Sequence, residues 1–211
     1  MLLAREATVP KRWNIAPHDP TTVASLEKSA GISPILARLL AARGVTDPKQ
    51  VRGFLDASMA NLREPEELFG IAEAADSILA AAKAGRKIVI YGDYDADGMS
   101  STAILCHCLK AIHVEPHWYV PDRFDEGYGL NSDALRRLKQ DGAELVVTVD
   151  CGIASVAEAD VAREIGLELI ITDHHNFADR LPAADVLVHP RLPGSEYPFG
   201  DLCGAGVAFK L

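Results

Sequence analysis

The sequence predicts an α/β fold, in which a parallel sheet carries helices on both faces and follows a small helical region. From residue 86 onward, short apolar runs alternate with helical stretches, and strands this apolar are typical of a sheet buried on both faces. Before that point, apolar residues recur instead at helical spacing. We therefore predict an N-terminal arm and helical region over residues 1–85 and an α/β domain over residues 86–211.

The N-terminal region shows several start and stop signals for helices. The first twenty residues contain three prolines and are predicted to form an arm that Trp13 anchors. A helix is predicted after the N-cap candidate Ser33, and a shorter helix is predicted to open at Pro48. From Ile71, apolar residues follow the i, i+3, i+4, i+7 pattern of a third helix, which ends before Gly85.

The second region alternates strands and helices. Strands are predicted over 88–91, 114–120, 145–149, 169–171 and 186–188. Helices are predicted over 100–111, 131–140 and from Ser155, where Ser155 and Glu158 match a capping box. This succession predicts a Rossmann-like sheet. Residues 204–211 resemble the opening of another helix, so we interpret the sequence as a fragment of a longer protein.

Bulk composition narrows the class of protein. The 211 residues are 48% hydrophobic and carry a net charge of −9, which argues against a whole-surface grip on nucleic acid but leaves room for a local basic groove. The four cysteines have no CxxC spacing and are interpreted as reduced thiols. With neither a signal peptide nor an apolar run long enough to span a membrane, the protein is expected to be cytoplasmic.

Three aspartates at alternate positions, Asp93, Asp95 and Asp97, directly follow the strand predicted over 88–91. Like charges this close raise one another's pKa, and a divalent cation such as Mg2+, Mn2+ or Ca2+ relieves the repulsion. An EF-hand loop is disfavoured because Ile104 stands where its bidentate Glu is needed. A phosphatase with an aspartyl nucleophile remains an alternative, although it needs no histidine pair.

Two more predicted strands end in similar residues. Asp150 follows the strand 145–149, and Asp173, His174 and His175 follow the strand 169–171. Ligands of open α/β sheets bind at the carboxyl ends of strands, so these groups are predicted to meet in one metal site. Asp150 alone also fits a turn or a helix cap. Adjacent histidines on an extended segment point opposite ways, so one is expected to bind metal and the other to contact substrate or support the site, with Asp173 orienting the turn.

Residues beside the acidic cluster are candidates for binding a phosphate or a base. Ser100 could add a hydroxyl at the N-terminus of the next helix, although an ordinary N-cap explains it equally well. In the loop over 121–130, Arg123 could bind a phosphate, and Phe124 or Tyr128 could stack on a base. The alternative is a packed loop with a surface Arg–Asp pair.

Several other cysteines and histidines of the sequence are not assigned to a functional site. Cys106, His107 and Cys108 lie in a predicted helix, where positions i and i+2 share no face, so packing is favoured over a zinc site. His189 has no partner that the sequence identifies.

The segments Asp-Tyr-Asp-Ala-Asp-Gly, Val-Asp-Cys-Gly and Thr-Asp-His-His, in this order, resemble the DHH phosphoesterase superfamily. The sequence from Arg123 to Leu130 and the final segment 204–211 are similar to its RecJ family of single-stranded-DNA-specific 5′→3′ exonucleases. The resemblance implies a two-metal phosphodiesterase of DNA recombination and repair that uses Mn2+ or Mg2+. Its substrate is then single-stranded DNA with a 5′ phosphate, and a single-strand-binding protein and a helicase are candidate partners.

The resemblance also implies roles for individual residues. The metal ligands are expected to be Asp93, Asp95, Asp97, Asp150 and His174, with Asp150 as the candidate bridge between two ions. The catalytic residues are expected to be Asp95, Asp97, Asp150, His174 and His175. The substrate is expected to contact Arg123, His175 and Ser100.

The family adds a further metal-binding aspartate after its glycine-rich helix, and the sequence does not reach it. The chain alone is therefore expected to bind metal weakly and to cut DNA poorly or not at all. Two alternatives stay open. One is a DHH phosphoesterase acting on oligoribonucleotides, cyclic dinucleotides or pyrophosphate, and the other is a non-catalytic scaffold of the same fold.

Overall fold

The computed structural model describes residue 14 and residues 17–56 and 58–211. Trp13 and most of the predicted arm lie outside the described residues. The chain divides into two compact units, Met1–Leu62 and Arg63–Leu211. Within the described ranges, no helix combines the length and the apolar character that crossing a membrane requires.

The first unit contains three helices, α1 (Pro20–Ala30), α2 (Pro34–Ala42) and α3 (Pro48–Leu55). Each has proline in its first turn, and the residue before it caps the helix with its side chain. The helix α1 was not predicted, because its proline was read as part of an arm. The buried core of the unit consists of Val23, Leu26, Ala37, Leu40 and Val51.

The second unit is the α/β domain. In chain order its elements are α4 (Ile71–Lys83), β1 (Ile88–Tyr91), α5 (Ala96–Ala111), β2 (His117–Tyr119), α6 (Ser132–Gln140), β3 (Leu145–Val149), α7 (Val156–Glu164), β4 (Glu168–Thr172), β5 (Val186–Val188) and α8 (Gly204–Lys210). The five strands form one sheet in the order β2-β1-β3-β4-β5, and every neighbouring pair is parallel. The predicted parallel α/β sheet is therefore confirmed.

Both faces of the sheet are covered, as the continuous apolar character of its strands requires. Along β1, Ile88 and Ile90 pack in a cluster with residues of α4, α5 and α8. Val89 and Tyr91 alternate with them and pack on the opposite face with residues of α6 and α7. All four side chains of β1 are buried, which holds its carboxyl end firmly in place.

The main differences from the sequence prediction are two element boundaries and one helix cap. The helix α5 begins at Ala96 rather than at residue 100, because the Asp95 carboxylate accepts hydrogen bonds from the N–H groups of Asp97 and Gly98. The strand β2 is limited to His117–Tyr119. The predicted capping box is wrong, since the Ser155 side chain makes no capping hydrogen bond to α7.

Candidate metal centre

The carboxyl ends of β1, β3 and β4 lie side by side at one edge of the sheet. Parallel pairing places Tyr91 beside Thr148, and Val149 beside Thr172. Asp93 follows β1 after one intervening glycine, and Asp150 and Asp173 directly follow β3 and β4. The three segments predicted to meet do meet, because parallel strands in register present their ends to the same edge.

The first segment turns sharply from β1 into α5. Asp93 is buried, and its Oδ1 accepts a hydrogen bond from the N–H of Tyr94 at 2.7 Å, while its Oδ2 has no hydrogen-bond partner. Gly98 permits this turn, since a Cβ there would lie 2.7 Å from the backbone oxygen of Asp93. Burial is the main reason that the pKa of Asp93 is raised.

Asp150 is the most unusual carboxylate of the site. It is 1% exposed, and neither of its oxygens accepts a hydrogen bond. Its backbone lies in the left-handed region, with φ of 62°, which a side chain such as Asp tolerates better than most. Burial, followed by the charge of Asp97, raises the pKa of Asp150 from 3.8 to about 7. Such a group is unfavourable as an anion unless a cation lies against it.

The histidine pair is arranged differently from the prediction. The Asp173 Oδ1 accepts hydrogen bonds from the N–H groups of His174 at 2.7 Å and His175 at 3.1 Å, which curls the chain into a turn. The two imidazole rings consequently lie side by side, with centroids 4.4 Å apart. The expectation that they point opposite ways is wrong, because the segment is not extended.

Asp173 orients this turn, as its sequence position predicted. Its Oδ1 also lies 2.7 Å from Nδ1 of His175, and its Oδ2 accepts from the N–H of Ile153 at 2.9 Å. Burial alone would raise the pKa of Asp173, but these hydrogen bonds outweigh it and lower the pKa. The hydrogen bond to Asp173 in turn raises the pKa of His175.

The ligand atoms form two groups that share one residue. In each group the atoms lie within 4.8 Å of one another, and the groups are Asp93, Asp95 and Asp150, and Asp150, His174 and His175. The Nε2 of His174 and the Oδ1 of Asp150 are 3.1 Å apart without forming a hydrogen bond. Two ligands at about 2.1 Å from one octahedral ion are themselves about 3 Å apart, so this spacing fits a shared cation. Oxygen and imidazole donors suit Mn2+ and similar divalent ions.

Asp97 lies at the border of this site. Its Oδ2 is 3.5 Å from Nε2 of His174, and it belongs to neither ligand group found among the described residues. Both its oxygens accept hydrogen bonds from α8, at 2.7 Å from the N–H of Gly204 and 2.7 Å from that of Ala205. Asp97 therefore joins α5 to α8 beside the candidate metal ligands.

The predicted loop over 121–130 forms one wall of the site. The guanidinium of Arg123 lies over the Tyr94 ring, 5.3 Å from its centroid, and Tyr94 contacts the edge of Tyr128. The Tyr128 hydroxyl is 3.3 Å from Nε2 of His175, which links the loop to the histidine pair. Phe124 is 93% exposed and lies free of the core. Stacking between Arg123 and Tyr94 replaces the Arg–Asp pair considered as the alternative.

A half-buried polar contact lies at the base of this loop. The Tyr119 hydroxyl donates to Glu126, and Arg137 of α6 forms an ion pair with the same carboxylate. Glu126 also accepts from the N–H of Asp122 at 3.0 Å. The hydrogen bond from Tyr119 is the main cause that lowers the pKa of Glu126. These contacts tie the base of the loop to β2 and α6, while Arg123 and Phe124 stay at the surface.

Ser100 is placed away from the N-terminus of α5, because the helix begins four residues earlier than predicted. Its hydroxyl donates to the carbonyl of Ala96 at 2.6 Å. Ser101 and Thr102 donate in the same way to the carbonyls four residues before them. The Ser100 hydroxyl proton, which was expected to bind a phosphate, is thus used inside the helix.

Three further residues support the site and were not predicted from the sequence. His189 and Arg191 donate hydrogen bonds to the carbonyls of His175 and His174, at 2.8 and 2.7 Å. Gly204 packs so closely on Asp150 that a Cβ would lie 2.3 Å from its Oδ1. The position of His189 directly after β5 was the available signal. Of the predicted packing triplet, Cys106 is half-buried, while His107 and Cys108 are exposed and belong to no ligand group in the part of the chain described.

Comparisons with known proteins agree with this geometry. The DHH family, N-terminal domain, matches residues 87–211. The single-stranded-DNA-specific exonuclease RecJ of Bacillus subtilis is 48% identical over 200 residues, which are 95% of this chain and 25% of that protein. The RecJ of Escherichia coli is 38% identical over 183 residues, covering 86% of this chain and 31% of that protein. The chain thus spans between a quarter and a third of the length of these relatives.

Solved structures of RecJ also match the chain. A crystal structure of Thermus thermophilus RecJ in complex with Mn2+ matches with a TM-score of 0.67 and 30% identity, over 94% of this chain and 28% of that one. A crystal structure of exonuclease RecJ bound to manganese matches with a TM-score of 0.60 and 40% identity, over 68% of this chain and 36% of that one.

Proposed function

The chain belongs to the DHH family, and we propose that it is the metal-bearing part of a single-stranded-DNA-specific 5′→3′ exonuclease. The observation that carries the proposal is Asp150, a buried carboxylate with no hydrogen-bond partner that lies between two groups of potential ligands. A stable protein keeps such a group when a cation balances it. The relatives named above supply the class of reaction and of substrate.

The proposed ions are two Mn2+ or Mg2+, held by the residues that the strand ends bring together. Asp93, Asp95 and Asp150 would hold one, and Asp150 with His174 would hold the other, with His175 beside it. Asp150 is the proposed bridge, since it alone belongs to both groups. Asp97 is proposed as a further ligand, because its Oδ2 lies 3.5 Å from Nε2 of His174. The hydrogen bonds that its two oxygens accept from α8 hold the carboxylate at this place.

Two divalent cations held there would supply the positive charge that activates a water for attack and offsets charge on the phosphodiester. The side chains of the site orient the substrate and the proton donor around those cations. Asp173 holds the His175 ring through Nδ1, so the ring is aimed at the site and can donate a proton toward a phosphate oxygen or leaving group. Asp95, Asp97, Asp150, His174 and His175 are therefore the proposed catalytic set.

The wall beside the metal centre is proposed to bind the end of a DNA strand. Arg123 forms no ion pair with a carboxylate among the described residues, so its guanidinium is available to a 5′ phosphate. Tyr94, Tyr128 and the exposed Phe124 offer faces on which unpaired bases stack. The role of Ser100 in binding the substrate stays a prediction. Its hydroxyl donates to the carbonyl of Ala96, so the oxygen could only accept a hydrogen bond from the substrate.

The setting of the reaction is also part of the proposal. We place the protein in the cytoplasm, in DNA recombination and repair, where a helicase and a single-strand-binding protein would provide and present its substrate. The net charge of −9 is compatible with this role, because bound cations and Arg123 concentrate positive charge at the site.

The test uses the full-length protein, with 5′-phosphorylated single-stranded DNA and a dinucleotide as competing substrates in Mn2+. Release of mononucleotides from the DNA supports the proposal, whereas a preference for the dinucleotide indicates a phosphoesterase of small substrates. Asp150→Asn should abolish cleavage, and Asp141→Asn, at the exposed end of α6, is the matched control. Unchanged cleavage by Asp150→Asn would contradict the metal mechanism, and no cleavage of either substrate by the unaltered protein would favour a scaffold.

A further inference from the structure

His189 is buried directly after β5, with an exposure of 0%. Both of its ring nitrogens are hydrogen bonded. Nδ1 accepts from the N–H of Arg191 at 3.0 Å, and Nε2 lies 2.8 Å from the carbonyl oxygen of His175. A backbone N–H can only donate and a carbonyl can only accept, so the ring must be neutral, with its proton on Nε2.

A second side chain from the same segment holds the neighbouring carbonyl. Arg191 donates from Nη2 to the carbonyl of His174 at 2.7 Å. On the other edge of the turn, Asp173 accepts from the N–H groups of both histidines. The backbone of the histidine pair is therefore held from two sides, by β4 through Asp173 and by the segment after β5 through His189 and Arg191.

The buried His189 ring packs against an aromatic side chain. Phe177 lies against it, with ring centroids 4.6 Å apart. A polar ring this deeply buried is unfavourable unless its nitrogens are hydrogen bonded, and here both bonds involve the turn or the residue that supports it. An apolar side chain could fill the same volume but could not hold the carbonyl of His175.

We infer that His189 is a positioning residue, whose neutral ring, together with Arg191, fixes the His174–His175 turn so that both imidazoles face Asp150. The inference rests on the proposed metal centre and adds to it a support from the fifth strand. Residues that orient metal ligands in this way affect metal affinity by about 10–100-fold without contacting the ion.

The first experiment reads the state of the ring in the chain without metal. Nitrogen-15 NMR at pH 7.5 should show that His189 carries its proton on Nε2 and is unprotonated on Nδ1. A proton on Nδ1, or on both nitrogens, would overturn the inference, because either state removes the acceptor that Arg191 requires. This result does not depend on metal binding or nuclease activity.

The second experiment measures Mn2+ affinity by calorimetry in three variants of the full-length protein. His189→Leu should weaken binding by about 10–100-fold. His189→Gln keeps a donor near the Nε2 position and should recover most of the loss. Val188→Ala removes buried packing from the adjacent residue of β5 and should leave the affinity unchanged. Wild-type affinity in the Leu variant, or an equal loss in Val188→Ala, would show that His189 is only a core residue.

If His189→Leu fails to fold, His189→Asn decides. Its shorter side chain keeps an acceptor for Arg191 but does not reach the carbonyl of His175, so Mn2+ binding should weaken as in the Leu variant. Wild-type affinity would overturn the inference. If the unaltered full-length protein binds no Mn2+ at all, the proposed function fails, and the NMR tautomer still tests whether His189 holds the turn.

Discussion

Replacing Asp150 with Asn should stabilise the metal-free protein. Burial and the charge of Asp97 raise the pKa of Asp150 from 3.8 to about 7, so the folded state resists ionising this group. A difference of about 3 pKa units corresponds to about 4 kcal/mol. Asn has nearly the same shape, carries no charge, and tolerates the φ of 62° that the turn requires.

The sign of the pH dependence follows from the same shift. Between pH 4 and pH 7 the unfolded chain releases the proton of Asp150 while the folded chain keeps it, so stability without metal falls as the pH rises. The advantage of the Asn variant should therefore grow from about 2 kcal/mol at pH 5 to about 4 kcal/mol at pH 8. Urea unfolding in EDTA at both values measures it, with Asp141→Asn as the control.

Mn2+ should remove most of the stability advantage of the Asn variant. At pH 8 the ionised Asp150 binds the cation, and a free concentration of 100 times the dissociation constant stabilises the folded state by about 2.7 kcal/mol. The Asn variant should gain much less. If Asp150→Asn is less stable than the unaltered chain in EDTA at pH 8, then the carboxylate is not an unfavourable buried charge, and the main argument for the metal centre is refuted.

Three further predictions test the surroundings of the site. Gly204→Ala should destabilise the protein by about 1–3 kcal/mol and weaken Mn2+ binding, because its Cβ would overlap Asp150. Gly53→Ala, with open space around it, should instead stabilise α3 by about 1 kcal/mol. Thermal unfolding measures the stability and calorimetry the Mn2+ affinity, and equal effects of the two substitutions would contradict the reasoning. Glu126→Gln should leave Mn2+ affinity unchanged in calorimetry but raise the KM of the full-length protein for DNA, since it loosens the loop; a loss of Mn2+ affinity would be the wrong result. Arg123→Lys in the full-length protein should reduce the preference for 5′-phosphorylated over 5′-hydroxyl DNA by about tenfold, because Lys cannot bind a phosphate bidentately, and an unchanged preference would exclude the proposed phosphate contact.

Much of the architecture could be predicted because its signals are local. Apolar runs located β1, β3 and β5 to the residue, and proline located the starts of α2 and α3, with the capping side chain of Ser33 as a second signal for α2. The same signals were present at Asp19 and Pro20, so α1 was predictable in principle. The start of α5 was not, because Asp95 was interpreted only as a metal ligand, although it also caps the helix.

The side-chain geometry of the site depended on contacts between segments distant in sequence. The histidine pair was expected to diverge because an extended strand was assumed, but the Asp173 carboxylate curls the chain at that point. The hydrogen bonds between Asp97 and α8 join residues more than one hundred positions apart. No periodicity or spacing in the sequence encodes such a pair.

The departures from ordinary local structure concentrate around Asp150. One residue combines a left-handed backbone, two unpartnered buried oxygens and contact with a glycine that can carry no side chain. Each feature opposes folding on its own, and natural sequences keep such conflicts mainly where function requires them. A cation would relieve the electrostatic part while leaving the strained turn to aim the carboxylate. The metal-free chain should therefore be least stable at this edge, and amide hydrogen exchange at residues 150–153 and 173–175 should slow on adding Mn2+ more than exchange in α6 or α7.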